Sequence, residues 1–201
     1  MNMNSATIQN METNEAHKLS TGNIILIGLM GSGKTTVGKL LAKQLHKTFI
    51  DCDEEIQRRT GVTIPHIFDV EGEEGFRQRE TAALEELVQR SDIVLATGGG
   101  APLSQLNRDM LSRSGIVVYL KSSVHDLWHR TRHDHNRPLL QTADPRATLQ
   151  DLFEKRDPLY NSIADIVIHT GKQNVQILLL KLQEKIAEYR ATDKPAPESI
   201  Q

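Results

Sequence analysis

The chain of 201 residues contains a single cysteine, Cys52, so neither an internal disulfide nor a cysteine-based zinc site can form within it. A lone thiol fits a reducing compartment, and the expectation is a cytoplasmic protein. No apolar run approaches the roughly 18 residues that would span a bilayer. The opening stretch, MNMNSATIQNMETNEAHKLST, is polar and mixed in charge, with no apolar core of the kind a secretory signal needs. Charge of one sign is scarce as well. A net charge of −2 argues against binding nucleic acid through bulk electrostatics. No membrane and no nucleic-acid partner are expected.

The composition that remains is that of a globular domain, 38% apolar and 25% charged, and the length suits one domain. Residues 1–20 are expected to form a disordered lead and residues 191–201 a disordered tail, with one folded unit over 21–190. Within it, short apolar runs alternate with helical patterns. The strand candidates are Asn23–Ile27, Thr48–Asp51, Ile93–Thr97, Ile116–Leu120 and Ala164–His169. Lys34–Leu45 places Val37, Leu40, Leu41 and Leu45 on one helical face. The last helix carries a stripe of Val175, Leu178, Leu179, Leu182, Ile186 and Tyr189. Such alternation predicts an α/β fold of three layers, a five-stranded parallel sheet flanked by helices. Residues 131–147 break the rhythm with a polar, aperiodic segment that is either a mobile functional loop or an insertion.

Gly28 to Thr35, GLMGSGKT, fits the G-x-x-x-x-G-K-[ST] pattern, between a strand candidate and a helix. Glycines let the backbone wrap closely, successive N–H groups point inward, and the helix N-terminus adds partial positive charge. Lys34 would reach the β- and γ-phosphates of a nucleoside triphosphate, and the Thr35 hydroxyl would ligate Mg²⁺.

Four downstream signals bear on the acceptor. Asp51-Cys52-Asp53 ends the second strand, where ligands gather in open parallel sheets; one carboxylate could face a metal and the other a hydroxyl. The competing reading is a helix N-cap with an acidic first turn. In EGEEGFRQRE, Phe76, Ala83, Leu84 and Leu87 mark a buried helical face, Arg77 borders it, and Glu80 lies one turn on. That spacing can fix a guanidinium fork for a carboxylate, or it can be a solvated ion-pair face. Gly98-Gly99-Gly100 directly follows a buried strand, which suggests close backbone approach to a ligand. Arg130, Arg132, Arg137 and Arg156 could close over a transferring phosphoryl group, although each alone reads as surface. Pro158 is expected to end a helix with Arg156 on its last turn.

Taken in order, GLMGSGKTT, DCD, IFDVEGEEGFRQRE, IVLATGGGA, RPLL and RDPLYNSIAD resemble the motifs of shikimate kinases over roughly residues 22–190. The resemblance implies a P-loop kinase fold of the nucleoside-monophosphate-kinase type with a lid over about residues 131–147. It implies ATP and Mg²⁺ as cofactors, shikimate as acceptor and a monomer. Gly31, Ser32, Gly33, Lys34, Thr35 and Thr36 would bind ATP, with Asp51 near the metal through water. Asp53 would hold the acceptor hydroxyls and receive a proton, and Arg77 and Arg156 would clamp the carboxylate, with Glu80 steadying Arg77. Gly98, Gly99 and Gly100 would line the ring, and Arg137 would bridge to the phosphates. An adenine loop is expected near Thr170–Asn174. Competing readings are a gluconate-type or nucleotide kinase, and a nucleotide-binding regulator without catalysis. His125, His129, His133 and His135 are read as exposed helix and loop residues rather than metal ligands, and Cys52 as a small buried residue.

Overall fold

The structure is a computed structural model that describes residues 18, 20–134, 137–171 and 173–192. Most of the expected lead and tail, together with His135, lies outside the described residues.

Five strands form one parallel sheet in the order β2-β3-β1-β4-β5: β1 (Ile24–Ile27), β2 (Thr48–Asp51), β3 (Ile93–Ala96), β4 (Ile116–Lys121) and β5 (Ile166–His169). Ile24 pairs with Val94 on one side and Ile116 on the other, so β1 lies at the centre. β1 and β3 are buried throughout, as near-continuous Ile, Val and Leu runs require of strands covered on both faces. β5 sits at an edge and alternates buried with exposed positions.

The period-2 pleat sends successive residues of β1 into separate cores. Ile24 and Leu26 meet Leu41 of α1 (Lys34–Leu45) and Leu179 and Leu182 of α7 (Val175–Thr192). Ile25 and Ile27 face the opposite layer. That layer contains α2 (Cys52–Thr60), α3 (Ile64–Leu87), α4 (Gln105–Ser114), α5 (Val124–Thr131) and α6 (Pro145–Ile163). Each fully buried Leu or Ile contributes about 1.5–3 kcal/mol of transfer free energy. The stripes expected on α1 and α7 are the ones that pack inward. Cys52 is fully buried, and Trp128 packs against the second layer's core.

One expectation needs correction. Pro158 does not end its helix, because α6 runs through it to Ile163. Leu149, Arg156 and Tyr160 form its buried face, with Leu152, Phe153 and Ile163 packed beside them, whereas Pro158 lies on the exposed side. The missing amide costs the helix one bond, but the acceptor it would have met, the Glu154 carbonyl, belongs to an exposed residue and can turn to water. The helix bearing Phe76 starts at a kink: Gly72, with non-helical backbone and a φ of 71°, separates it from the earlier helical segment of α3.

At the ends of the described chain, Lys18 is buried and ion-paired with Asp165, and α7 reaches Thr192.

Candidate active site

The carboxyl ends of the strands open onto a cleft of about 650 Å³. The glycine loop after β1 forms one wall. Gly28 takes φ 140°, and a Cβ there would stand 2.7 Å from the Leu120 carbonyl, so no larger residue fits this bend. Gly31, Gly33, Lys34, Thr35 and Thr36 line the cleft. Ser32 differs: it is buried, and its hydroxyl finds no hydrogen-bond partner among the described residues. Lys34 Nζ donates to the carbonyls of Gly28 at 2.7 Å and Leu29 at 3.0 Å, which draws the ammonium across the loop mouth. Burial lowers its pKa to about 8, with Asp53 pulling back upward and Arg137 adding to the drop.

Asp51 satisfies both readings of its motif. One oxygen caps α2 by accepting from the amides of Asp53 at 3.1 Å and Glu54 at 3.4 Å. The other accepts the Thr35 hydroxyl at 2.7 Å. The pair therefore stands where a hard cation beside a triphosphate would be held. Hydroxyl and carboxylate oxygens are the donors Mg²⁺ prefers, and few protein ligands leave room for water and phosphate.

Asp53, one residue into α2, lines the cleft and the smaller pocket adjoining it. Its Oδ1 is buried and accepts no hydrogen bond from the described residues, so the site holds an open acceptor for a ligand hydroxyl. Burial raises the Asp53 pKa, helped by Asp51 and opposed by Lys34, Arg137 and Arg77.

The adjoining pocket is lined by Arg77, Gly98, Gly99, Gly100, Arg156 and Phe68, among others. Arg77 donates to Glu80 at 2.8 Å and to Glu73 at 2.9 Å, and its guanidinium lies 5.1 Å from the Phe76 ring centroid. Glu80 is fully buried rather than part of a solvated face, and burial raises its pKa to about 7 against the pull of Arg77. A Cβ on Gly100 would strike the Arg77 guanidinium at 2.2 Å, which shows how closely loop and cation approach. Arg156 is buried on α6 and donates to the Gly99 carbonyl at 3.1 Å.

Arg137 lines both cavities and is braced by Asp134 at 2.9 Å. Arg130 ties the glycine loop to the segment after β5, donating to the carbonyls of Gly31 at 3.1 Å and Gly171 at 3.0 Å. That segment includes part of the expected adenine loop; Lys172 lies outside the described residues. Of the four arginines read together, Arg132 alone lines neither cavity; it is exposed, as is Arg130 at the mouth of the larger one. His125 and His129 stack edge-on at 4.5 Å, and no group of metal-ligating side chains occurs among the described residues.

Residues 30–187 match the family model described as shikimate kinase. The chain belongs to the shikimate kinase family. It is 59% identical to the shikimate kinase of Nitrosospira multiformis over 84% of this chain and 87% of that one. Among solved structures, the shikimate kinase of Acinetobacter baumannii in complex with shikimate superposes with a TM-score of 0.82 at 48% identity, covering 87% of this chain and 97% of that one. A gluconokinase from Sinorhizobium meliloti shares the fold at a TM-score of 0.58 and 21% identity, over 86% of this chain and 95% of that one. Within the shikimate kinase family, ATP is the phosphoryl donor.

Sequence reasoning passed over Tyr160 and Asn107, which grip the Gly98–Leu103 turn from behind. Tyr160 falls inside the RDPLYNSIAD motif, but nothing in that motif gives it a role, because the turn that it and Asn107 hold is distant from the motif in sequence.

Proposed function

We propose that the cleft transfers the γ-phosphoryl group of MgATP to the 3-hydroxyl of shikimate, giving ADP and shikimate 3-phosphate. The observation that carries this reading is a convergence. A cradle of amides with Lys34 meets an open, buried Asp53 carboxylate and two guanidinium groups, Arg77 and Arg156, across continuous cavities, and Arg137 borders both.

Gly31, Ser32, Gly33 and Thr36 hold the triphosphate through the loop and the first turn of α1. Lys34 leaves the loop carbonyls to bond the β- and γ-phosphates. Thr35 and Asp51 would hold Mg²⁺, Asp51 through water, and the metal would supply charge neutralisation to the phosphates. Arg77 and Arg156 bind the acceptor carboxylate, and Gly98, Gly99 and Gly100 border its ring. Asp53 accepts the hydrogen bond of the attacking hydroxyl and so orients it. A loose transition state makes little demand for early proton removal, so orientation precedes any role as base. Arg137 closes over the γ-phosphoryl oxygens from the lid of residues 131–147, stabilising charge and excluding water. A monomeric cytoplasmic enzyme is part of the proposal.

Steady-state ATP turnover with and without shikimate tests it. ADP release that rises sharply with shikimate, and far less with gluconate or a nucleoside monophosphate, is the expected result. Turnover indifferent to shikimate overturns the reading.

A further inference from the structure

The Gly99 carbonyl is gripped from outside the cleft. It accepts two hydrogen bonds from α6, one from the Arg156 guanidinium at 3.1 Å and one from the Tyr160 hydroxyl at 2.5 Å. Arg156 belongs to the clamp proposed above. Tyr160 does not: it is fully buried and lines neither cavity. Its ring packs against Tyr119 with centroids 5.0 Å apart. Tyr119 is itself pinned, donating to Asp157 at 2.7 Å, and Lys121 donates to the same carboxylate at 2.9 Å. Burial and this ring packing, which does not need the Tyr119 hydroxyl, hold the Tyr160 phenol in place, and burial pushes its pKa upward, so it stays a donor.

A trans peptide is planar, with its C=O and the following N–H pointing in opposite directions. Whatever draws the Gly99 carbonyl toward α6 therefore turns the Gly100 N–H away from α6, and Gly100 itself borders the acceptor pocket beside the Arg77 guanidinium. That peptide unit lies between two glycines, the residues with most backbone freedom to lose, so it needs an outside anchor to keep one orientation. The turn beyond it has separate anchors. Asn107 donates to the Ala101 carbonyl at 3.0 Å and Arg108 to the Pro102 carbonyl at 2.6 Å.

We infer that Tyr160 is a positioning residue for the acceptor: by anchoring the Gly99 carbonyl, its hydroxyl presents the Gly100 amide to an acceptor oxygen that Tyr160 never touches. The inference rests on the shikimate reading of the site.

The test is Tyr160→Phe, which keeps the ring and its packing on Tyr119 while removing the hydroxyl. Gly99 retains its Arg156 bond, so folding is not threatened, and a thermal melt checks this. Tyr119→Phe is the matched control, because it removes a neighbouring hydroxyl that bonds Asp157 rather than the loop. Losing the neutral one of the two anchors should raise the KM for shikimate about fivefold. The KM for MgATP and kcat should stay within about twofold, as expected for an interaction equal in ground and transition states. The control should leave the shikimate KM unchanged. An unchanged shikimate KM in Tyr160→Phe overturns the inference, and so does an equal rise in both substrates' KM or an equal rise in the control. If the wild-type enzyme ignores shikimate, the functional reading itself fails. A wild type that responds, paired with an unaffected Tyr160→Phe, sinks the positioning role alone.

Discussion

Glu80 Oε1 and Asp53 Oδ1 are aimed at the same side of Gly98: a methyl group there would stand 2.2 Å from the first and 3.0 Å from the second. Both oxygens are buried, and neither accepts a hydrogen bond from the described residues. Glu80 cannot swing aside, because its other oxygen is bonded to Arg77 at 2.8 Å. Gly98→Ala should therefore push the acceptor side of the cleft apart. Overpacking of this kind costs about 1–3 kcal/mol, so kcat/KM for shikimate should fall at least about fivefold, with the KM for MgATP within about twofold. Wild-type shikimate kinetics in this variant would refute the close approach.

Glu80 also gives the fold a pH signature. Burial raises its pKa from 4.5 to about 7 despite the pull of Arg77. Between those values the unfolded chain has released this proton and the folded chain has kept it. The Glu80 contribution to stability is thus fully present below 4.5 and is lost as pH rises through about 7. Glu80→Gln cannot titrate. The difference in melting temperature, wild type minus variant, should decline from pH 5 toward pH 8, roughly the window of that shift. A flat difference across the range would mean that Glu80 is ionised throughout.

The proposed clamp would tie Arg77 to acceptor binding as well as to stability. A charged hydrogen bond is worth about 1.5–3 kcal/mol, so Arg77→Ala should raise the KM for shikimate roughly 10- to 100-fold and spare MgATP. It also strips the buried Glu80 of its counter-charge, which lowers the melting temperature. Adding Glu80→Gln should restore most of that stability and little of the shikimate affinity. Recovery of both in the double variant would show that Arg77 serves the fold and not the ligand.

Lys34 makes nucleotide affinity depend on pH. Its pKa of about 8 in the free protein comes first from burial, and phosphate oxygens at hydrogen-bond distance would raise it. Below that value the ammonium is already charged. Above it, binding must take up a proton, so the affinity for MgATP should weaken by up to about tenfold per pH unit. Titration calorimetry in buffers of different ionisation enthalpy should detect proton uptake at pH 9 and little at pH 7. Lys34→Ala should cut turnover by at least about a hundredfold, the order seen when one transition-state charge donor is removed. Proton uptake that is equal at both pH values would assign the shift to another group.

The fold was largely legible because its signals are local. Buried parallel strands need unbroken apolar runs such as Ile116–Leu120, and a helix facing one core needs a stripe such as Leu178, Leu179, Leu182 and Ile186. The glycine loop was legible for the same reason, since its geometry is written in eight consecutive residues. Pro158 misled because propensity sees the missing amide and cannot see that the exposed side of α6 tolerates it. Glu80 could be read from its spacing as a brace for Arg77 or as a surface charge, because its burial also depends on Gly98 and Asp53 arriving from separate segments. Tyr160 was invisible: its hydroxyl meets a carbonyl 61 residues away.

The strand order separates the two halves of this cleft. The glycine loop follows central β1, whereas Asp53 and the triple glycine follow β2 and β3 on one flank of it. Change on that flank can remodel what is recognised while the central loop stays intact. Inheritance here can proceed by halves, one kept and one free to diverge.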